Sequence, residues 1–397
     1  MNKHWRKVKL SQIAEEVRDL YEPKAEESKP YIGLEHIEQQ SLQINGIGDS
    51  AHTQSSKKKF KKGDILFGSL RPYFRKVYRP SFDGVCSTDI TVIQAKEGYD
   101  QVFLFYLIAN KSFIDYATSH SNGTRMPRAN WKVLEKSEWA LPDIPTQRRI
   151  ASILSSYDDL IENNSRRIKI LEQMAQMIYR EWFVNFRFPG YEKVKMVNSR
   201  LGRIPEGWEI KRFTDCIDVL SGGTPKTIAS DYWGGEIPFF TPKDSTQYLY
   251  VIDTERHITE KGLNSCSSKL YQKNTVFITA RGTVGNVVLA GKDMAMSQSC
   301  YALVGKDKLS QLFVYYALVN QISYLKKNTG GATFDTIIVD TFKRMDIVAP
   351  DKEIIAVFNR HIEALMNEIL NILNTNRGLA VTRDLLLPKL VGGEVEV

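Results

Sequence analysis

The chain has 397 residues, 42% of them hydrophobic, enough for two domains with separate cores rather than one. Its 54 Lys and Arg against 46 Asp and Glu leave a net charge of +8, a moderate excess that favours a polyanionic partner without requiring one. The opening MNKHWRKVKL lacks the apolar core of a signal peptide, and the longest apolar run, VFLFYLIA at 102–109, is too short to span a bilayer, so a cytoplasmic protein is expected. Four separated cysteines (Cys86, Cys216, Cys266, Cys300), none in a CxxC pair, predict buried reduced thiols.

In chain order, WRKVKLSQIAEEV from Trp5 reads as an alternating strand followed by a turn or short helix. FKKGDILFGSLRPYFRKVY at 60–78 reads as a basic turn, an apolar strand, an Arg-bearing loop and a second strand. FLFYLIANKSFIDY at 103–116 is helical and aromatic, SNGTRMPRAN at 121–130 is a polar loop, and LPDIPTQRRIASIL at 141–154 is a strand that turns at Pro142-Asp143 into a long helix. About 205 to 210 positions later the series returns. WEIKRFTDCIDVLSGG starts at Trp208, YQKNTVFITARGTVGNVVL lies at 271–289, LFVYYALVNQISYL at 312–325, NTGGATFDT at 328–336 and APDKEIIAVF at 349–358. One match is weak, but five in the same order and spacing predict an internal repeat.

The two long helices carry the clearest pattern. Ile150, Leu154, Tyr157, Ile161, Asn164, Ile168, Leu171, Ala175, Ile178 and Trp182 recur at steps of three and four, as do Ile355, Phe358, Ile362, Leu365, Ile369, Ile372, Asn376, Leu379, Arg383 and Leu386. Each seam needs a partner of equal length, and each is the other's, which predicts an antiparallel coiled coil with Asn164 and Asn376 within a turn of each other, either paired or facing the solvated edge. Pro189-Gly190 and Gly392-Gly393 are expected to end the helices. The fold class is therefore α+β, two similar globular domains of mixed sheet and short helices joined by two long helices. The expected boundaries are 1–143, 144–188, 189–350 and 351–397.

No constellation of catalytic residues stands out. GNVVLAGK at 285–292 has the wrong glycine spacing for a phosphate loop, and Asp293 follows where a hydroxyl is needed. No Asn-Pro-Pro-aromatic tetrapeptide is present, Pro142-Asp143 and Pro350-Asp351 read as turns, and six scattered histidines lack metal-ligand spacing. Basic and hydrogen-bonding side chains are plentiful on predicted turns and loops: Lys57, Lys58, Lys59, Lys61, Lys62, Arg71, Tyr73, Arg75, Lys76, Arg79, Arg125, Arg128 and Asn130 in the first half, and Thr224, Lys226, Lys243, Arg281, Thr283, Asn286, Lys326 and Lys327 in the second. Lys and Arg neutralise phosphates while Arg, Asn and Thr can read base edges, so this doubled set predicts contact with duplex DNA.

The order WE, SGGTP, YWGGEIPFFTPKD, ITARGTVGNV, SQSC and then a Pro-Asp joint into a long helix resembles the specificity subunit of type I restriction-modification enzymes, with IPEGWE at 204–209 and LPDIPTQRRIASILSSYDDLIE as the most specific parts. The resemblance covers nearly the whole chain. It implies two target-recognition domains, each reading one half of a bipartite asymmetric DNA site, and a helical rod that separates them. It further implies a non-catalytic subunit that binds no cofactor itself and recruits two modification subunits, which bring S-adenosylmethionine and methylate adenine; motor-nuclease subunits that cleave unmodified DNA can join the assembly. The first half departs from the pattern, with EEVRDLYEPK and ESKPYIGLEHI where SGGTP and YWGG are expected. The alternatives are a two-lobed scaffold that binds RNA or an acidic protein and, more remotely, an enzyme that binds S-adenosylmethionine or a metal.

Overall fold

The computed structural model describes residues 5–24, 26–245, 247–307, 309–328 and 337–397. The chain forms two compact units, Met1–Asn163 with Asn376–Val397, and Asn164–Thr375.

In the first unit, Arg6–Lys9 pairs antiparallel with Glu138–Leu141, and the short helix Leu10–Ile13 follows. A four-stranded sheet runs in the order Ala14–Val17, Ile90–Ala95, Ile65–Gly68, Val77–Tyr78. A five-stranded sheet runs Leu20–Tyr21, Lys57–Phe60, Gly84–Cys86, Pro30–Ile32, Gly48–Asp49. In ILFG at 65–68 every residue is buried, as expected of a strand covered on both faces. Helix Gln101–Ala109, capped by the Asp100 carboxylate, buries seven consecutive residues from Phe103 to Ala109.

The second unit repeats this plan in the same register. Glu209–Arg212 pairs with Asp346–Ala349, and helix Phe213–Cys216 follows. A five-stranded sheet runs Ile217–Ser221, Cys300–Gly305, Val276–Thr279, Val287–Ala290, Tyr250–Val251. The parallel pairing of Tyr31 with Val85 and Ile32 with Cys86 returns as Phe239 with Ala295 and Phe240 with Met296. Ile90 opposite Gly68 returns as Cys300 opposite Thr279. The second unit adds a hairpin, Met196–Ser199 with Gly202–Pro205. It also runs Gln311–Asn328 as one helix, where the first unit breaks at Asn110, whose backbone is extended.

Two helices of 40 residues complete the molecule, Ile144–Phe183 and Lys352–Val391. The Asp143 carboxylate accepts the Thr146 amide and caps the first helix; the Thr146 hydrogen bonds hold its carboxyl below the usual range. Within each unit, halves of the two helices lie antiparallel. In the first unit the Asn376 amide donates to the Ile161 carbonyl at 3.5 Å, while Ile150 and Leu154 share a core with Leu387, Leu390 and Val391. In the second, Arg167 pairs with Glu368 at 2.9 Å and Trp182 lies 6.0 Å from Phe358. All the seam residues are buried or half-buried, Asn164 included at 5% exposure. The buried stripe is wider than a two-helix seam requires: Tyr179, Phe183, Met366, Leu370 and Leu373 are also covered, because each helix half also walls the core of its unit. The first helix closes at Phe183, ahead of Pro189-Gly190, where the Arg180 carbonyl accepts the amides of Val184 and Asn185 and Phe186 takes a left-handed φ of 58°. The second ends where expected, at Gly392 and Gly393.

Cys86 and Cys300 are buried, and burial pushes both thiols up to about 12; Cys216 and Cys266 are only half-buried. Among the described residues no helix is long and apolar enough to cross a membrane.

Candidate nucleic-acid interface

Polar loops gather at one end of the strands in each unit, held by the same backbone bonds. In the first unit Ser69 N–H donates to Asp89, Ser87 N–H to Ile32 and Ala129 N–H to Ser69. In the second, Ala280 N–H donates to Ser299, Ser297 N–H to Phe240 and Ile337 N–H to Ala280. The loop after Ile65–Gly68 therefore meets the loops after Pro30–Ile32 and Gly84–Cys86, and the loop after Val276–Thr279 meets their counterparts. The SGG turn joins the second cluster at close quarters: a Cβ on Gly222 would lie 2.2 Å from the Ser297 carbonyl oxygen, and one on Gly223 2.4 Å from Ser267 Oγ. Only glycine fits there.

The first cluster brings together Arg71, Tyr73, Arg125 and Arg128. Arg71 N–H donates to Pro127 at 2.7 Å, and Arg128 pairs with Asp89 at 2.5 Å. Tyr73 and Arg125 are exposed. Arg71 has a left-handed φ of 52°, and its Nε is buried without a hydrogen-bond partner among the described residues. Its counterpart in the second unit is Gly282, at φ 80°. Arg75, also left-handed, is turned inward, donating to Ala109 at 2.8 Å and pairing with Asp384 at 3.1 Å.

The lysine run corrects the expectation of a basic turn. Lys57–Phe60 is an inner strand of the five-stranded sheet. The Lys57 ammonium donates to Ser55 and lies 5.6 Å from the Tyr31 ring centre, and burial lowers its pKa. Lys58 donates to Ile90, and Lys59 pairs with Asp19 at 3.0 Å. Long aliphatic stems let lysines occupy a strand while local oxygens take their charges. Lys61 and Lys62 are exposed, but they sit on the turn before Ile65–Gly68, at the opposite end of that strand from Arg71. Lys76 donates to the Leu34 carbonyl, and Asn130 caps helix Trp131–Leu134.

The second cluster brings together Thr224, Lys226, Lys243, Arg281 and Thr283. Lys226, Lys243, Arg281 and Thr283 are exposed, and Thr224 is half-buried. The Lys243 and Arg281 side chains have no ion pair among the described residues. Asn286 lies deeper, in a cleft described below. The side chains of Lys326 and Lys327, and the NTGG turn, lie outside the described residues. Ser87, Thr88 and Asp89, with Ser297, Gln298 and Ser299, belong to the same clusters and were not anticipated. Each trio is a short polar bridge between two apolar strands at the repeat offset, a signal the sequence does carry. Arg256, stacked 3.4 Å from the Trp233 ring centre, is a further cation that sequence reading passed over. No cluster of three or more metal-ligating side chains occurs among the described residues.

The family model described as type I restriction modification DNA specificity domain matches residues 2–173 and again 205–375, one match for each copy of the repeat. The chain is 25% identical to the type I restriction enzyme HindI specificity subunit of Haemophilus influenzae over 86% of this chain and 88% of the relative. It is 27% identical to the MjaIX specificity subunit of Methanocaldococcus jannaschii over 88% and 82%. The crystal structure of the type I restriction-modification system S subunit from M. genitalium shares the fold, with a TM-score of 0.54 at 15% identity over 98% of this chain and 97% of that one. With both halves matched by the same model, the chain belongs to the type I restriction modification DNA specificity family.

Proposed function

We propose that the chain is the DNA-recognition subunit of a type I restriction-modification complex, without catalytic activity of its own. Each unit reads one half of a bipartite, asymmetric site, and the paired helices set the spacer between the halves. Two methyltransferase subunits dock on it and bring S-adenosylmethionine. The observation that supports this best is the recurrence of one hydrogen-bonded loop cluster, rich in Arg, Lys, Thr and Ser, at matching strand ends of two units whose loop sequences differ. A shared framework with divergent loops suits two readers of different sequences. Arg71, Tyr73, Arg125 and Arg128 serve one half-site and Thr224, Lys226, Lys243, Arg281 and Thr283 the other; Lys57 to Lys59 maintain the sheet.

The test is binding of the full chain with its methyltransferase partner to duplexes bearing a two-part site obtained by mapping adenine methylation. Arg281→Ala is expected to weaken binding by about 1–3 kcal/mol if the guanidinium reads a base, with discrimination relaxed at one position of one half-site only. If it meets a phosphate, the salt slope falls by about one unit. Binding without a two-part preference, or an Arg281→Ala complex identical in affinity and salt slope, would refute the reading.

A further inference from the structure

The shared register exposes one chemical difference between the units. In the first, Arg383 of the second long helix has no exposed surface. Its guanidinium donates to Asp158 of the first long helix, to the Asp384 carboxylate and to the Ser41 carbonyl. The Tyr106 hydroxyl donates to the other Asp158 oxygen, and Asp384 also accepts from Arg75. Counted from Ile144 and Lys352, where the two helices start, Arg383 corresponds to Ala175, Asp384 to Gln176 and Asp158 to Met366. By strand register and helix alignment Lys76 corresponds to Asn286, Arg75 to Gly285 and Tyr106 to Tyr316. The second unit thus keeps the phenol and lacks the arginine and both carboxylates.

What it has instead is a cleft of about 330 Å3, walled by Glu172, Gln176, Ser245, Asn286, Tyr315 and Tyr316. Tyr316 is 4% exposed, and its hydroxyl has no partner among the described residues; nor has the buried Ser245 Oγ. Glu172, one helical turn before Ala175, brings a carboxylate that the first unit does not have, its counterpart there being Ala380. One of its oxygens accepts the Leu249 amide at 2.9 Å, and burial raises its pKa. A half-buried carboxylate beside a buried phenol oxygen and a buried hydroxyl oxygen, without full partners, is a set of groups that proteins ordinarily satisfy.

We propose that this cleft is a guanidinium-binding site, which accepts from outside the chain the group that Arg383 supplies from within in the first unit. Glu172 provides the charge, the Tyr316 and Ser245 oxygens accept further N–H groups, and the amide oxygens of Gln176 and Asn286 can take the rest; a planar donor fork suits such a ring of acceptors better than an ammonium. The proposal stands independently of the DNA reading. The guanidinium belongs either to an arginine side chain of a protein partner or to a free guanidinium compound.

The experiment is thermal melting of the full chain titrated with N-acetyl-arginine methylamide, L-arginine and N-acetyl-lysine methylamide in the low millimolar range. A saturable rise in Tm with the arginine amide is expected, with several-fold weaker binding of the lysine amide. Glu172→Gln, which keeps an oxygen for Leu249, should weaken binding about tenfold. Ala175→Arg should abolish it by filling the cleft; should that variant fail to fold, Glu172→Gln decides. Saturation by L-arginine but not by the amide would assign the source to a free compound. No saturable shift, an equal response in Glu172→Gln, or equal binding of the lysine amide would overturn the proposal.

Discussion

Arg383 shows how a charge can be removed from water inside a protein. Its guanidinium meets two carboxylates and a carbonyl, and burial together with the Asp158 carboxylate pushes the Tyr106 phenol far above its ordinary range. Truncating one member strands the rest, so Arg383→Leu is expected to cost about 3–5 kcal/mol, because it leaves two acids near a buried phenol. A fall in the denaturant midpoint at unchanged m-value would show it. Replacing Arg383 and Asp158 together by Met should recover part of the loss; a double variant as unstable as the single would contradict the network. Spacing placed Arg383 on the helix seam, and it is there. Sequence could not show that its main partner lies on the other long helix, because ion-pair partners leave no periodic trace.

The long helices were legible as elements because apolar stripes at steps of three and four, sustained over 40 residues, arise in few structures besides paired helices. Their width was not: Tyr179, Met366 and Leu373 are buried by sheet cores that a two-helix picture omits. Lys57–Phe60 was misread for the opposite reason, since consecutive lysines resemble a turn until Lys57 and Phe60 are seen to be buried and the ammoniums to have partners nearby. One residue works against its helix. Gly378 lies within Lys352–Val391, and an added Cβ would meet nothing within 4 Å. Gly378→Ala should therefore stabilise the chain by about 0.5–1 kcal/mol, read as a raised Tm. A lowered Tm would mean that the helix needs backbone freedom there.

For the whole chain, the repeat was the most legible feature, since its order and offset survive although residue identities do not. The structure adds that strand pairing is preserved to the residue. If the paired helices set the distance between two readers, inserting seven residues after Asn163 and seven after Thr375 lengthens each helix by about 10 Å, about three base pairs of duplex. The preferred spacer should grow by that amount, with both half-sites unchanged in a methylation map. An altered half-site with the old spacer would reject the ruler. Duplication also supplies an internal control for cost. The turn at 71 and at 282 demands the same left-handed backbone, and glycine at 282 meets it freely while arginine at 71 does so at about 1 kcal/mol. One copy therefore carries a penalty that its sibling shows to be avoidable. Selection for thermal robustness alone would remove it; on the proposed reading of Arg71 as a DNA contact, the long cationic side chain is kept on that turn for recognition at the expense of a slightly weaker fold.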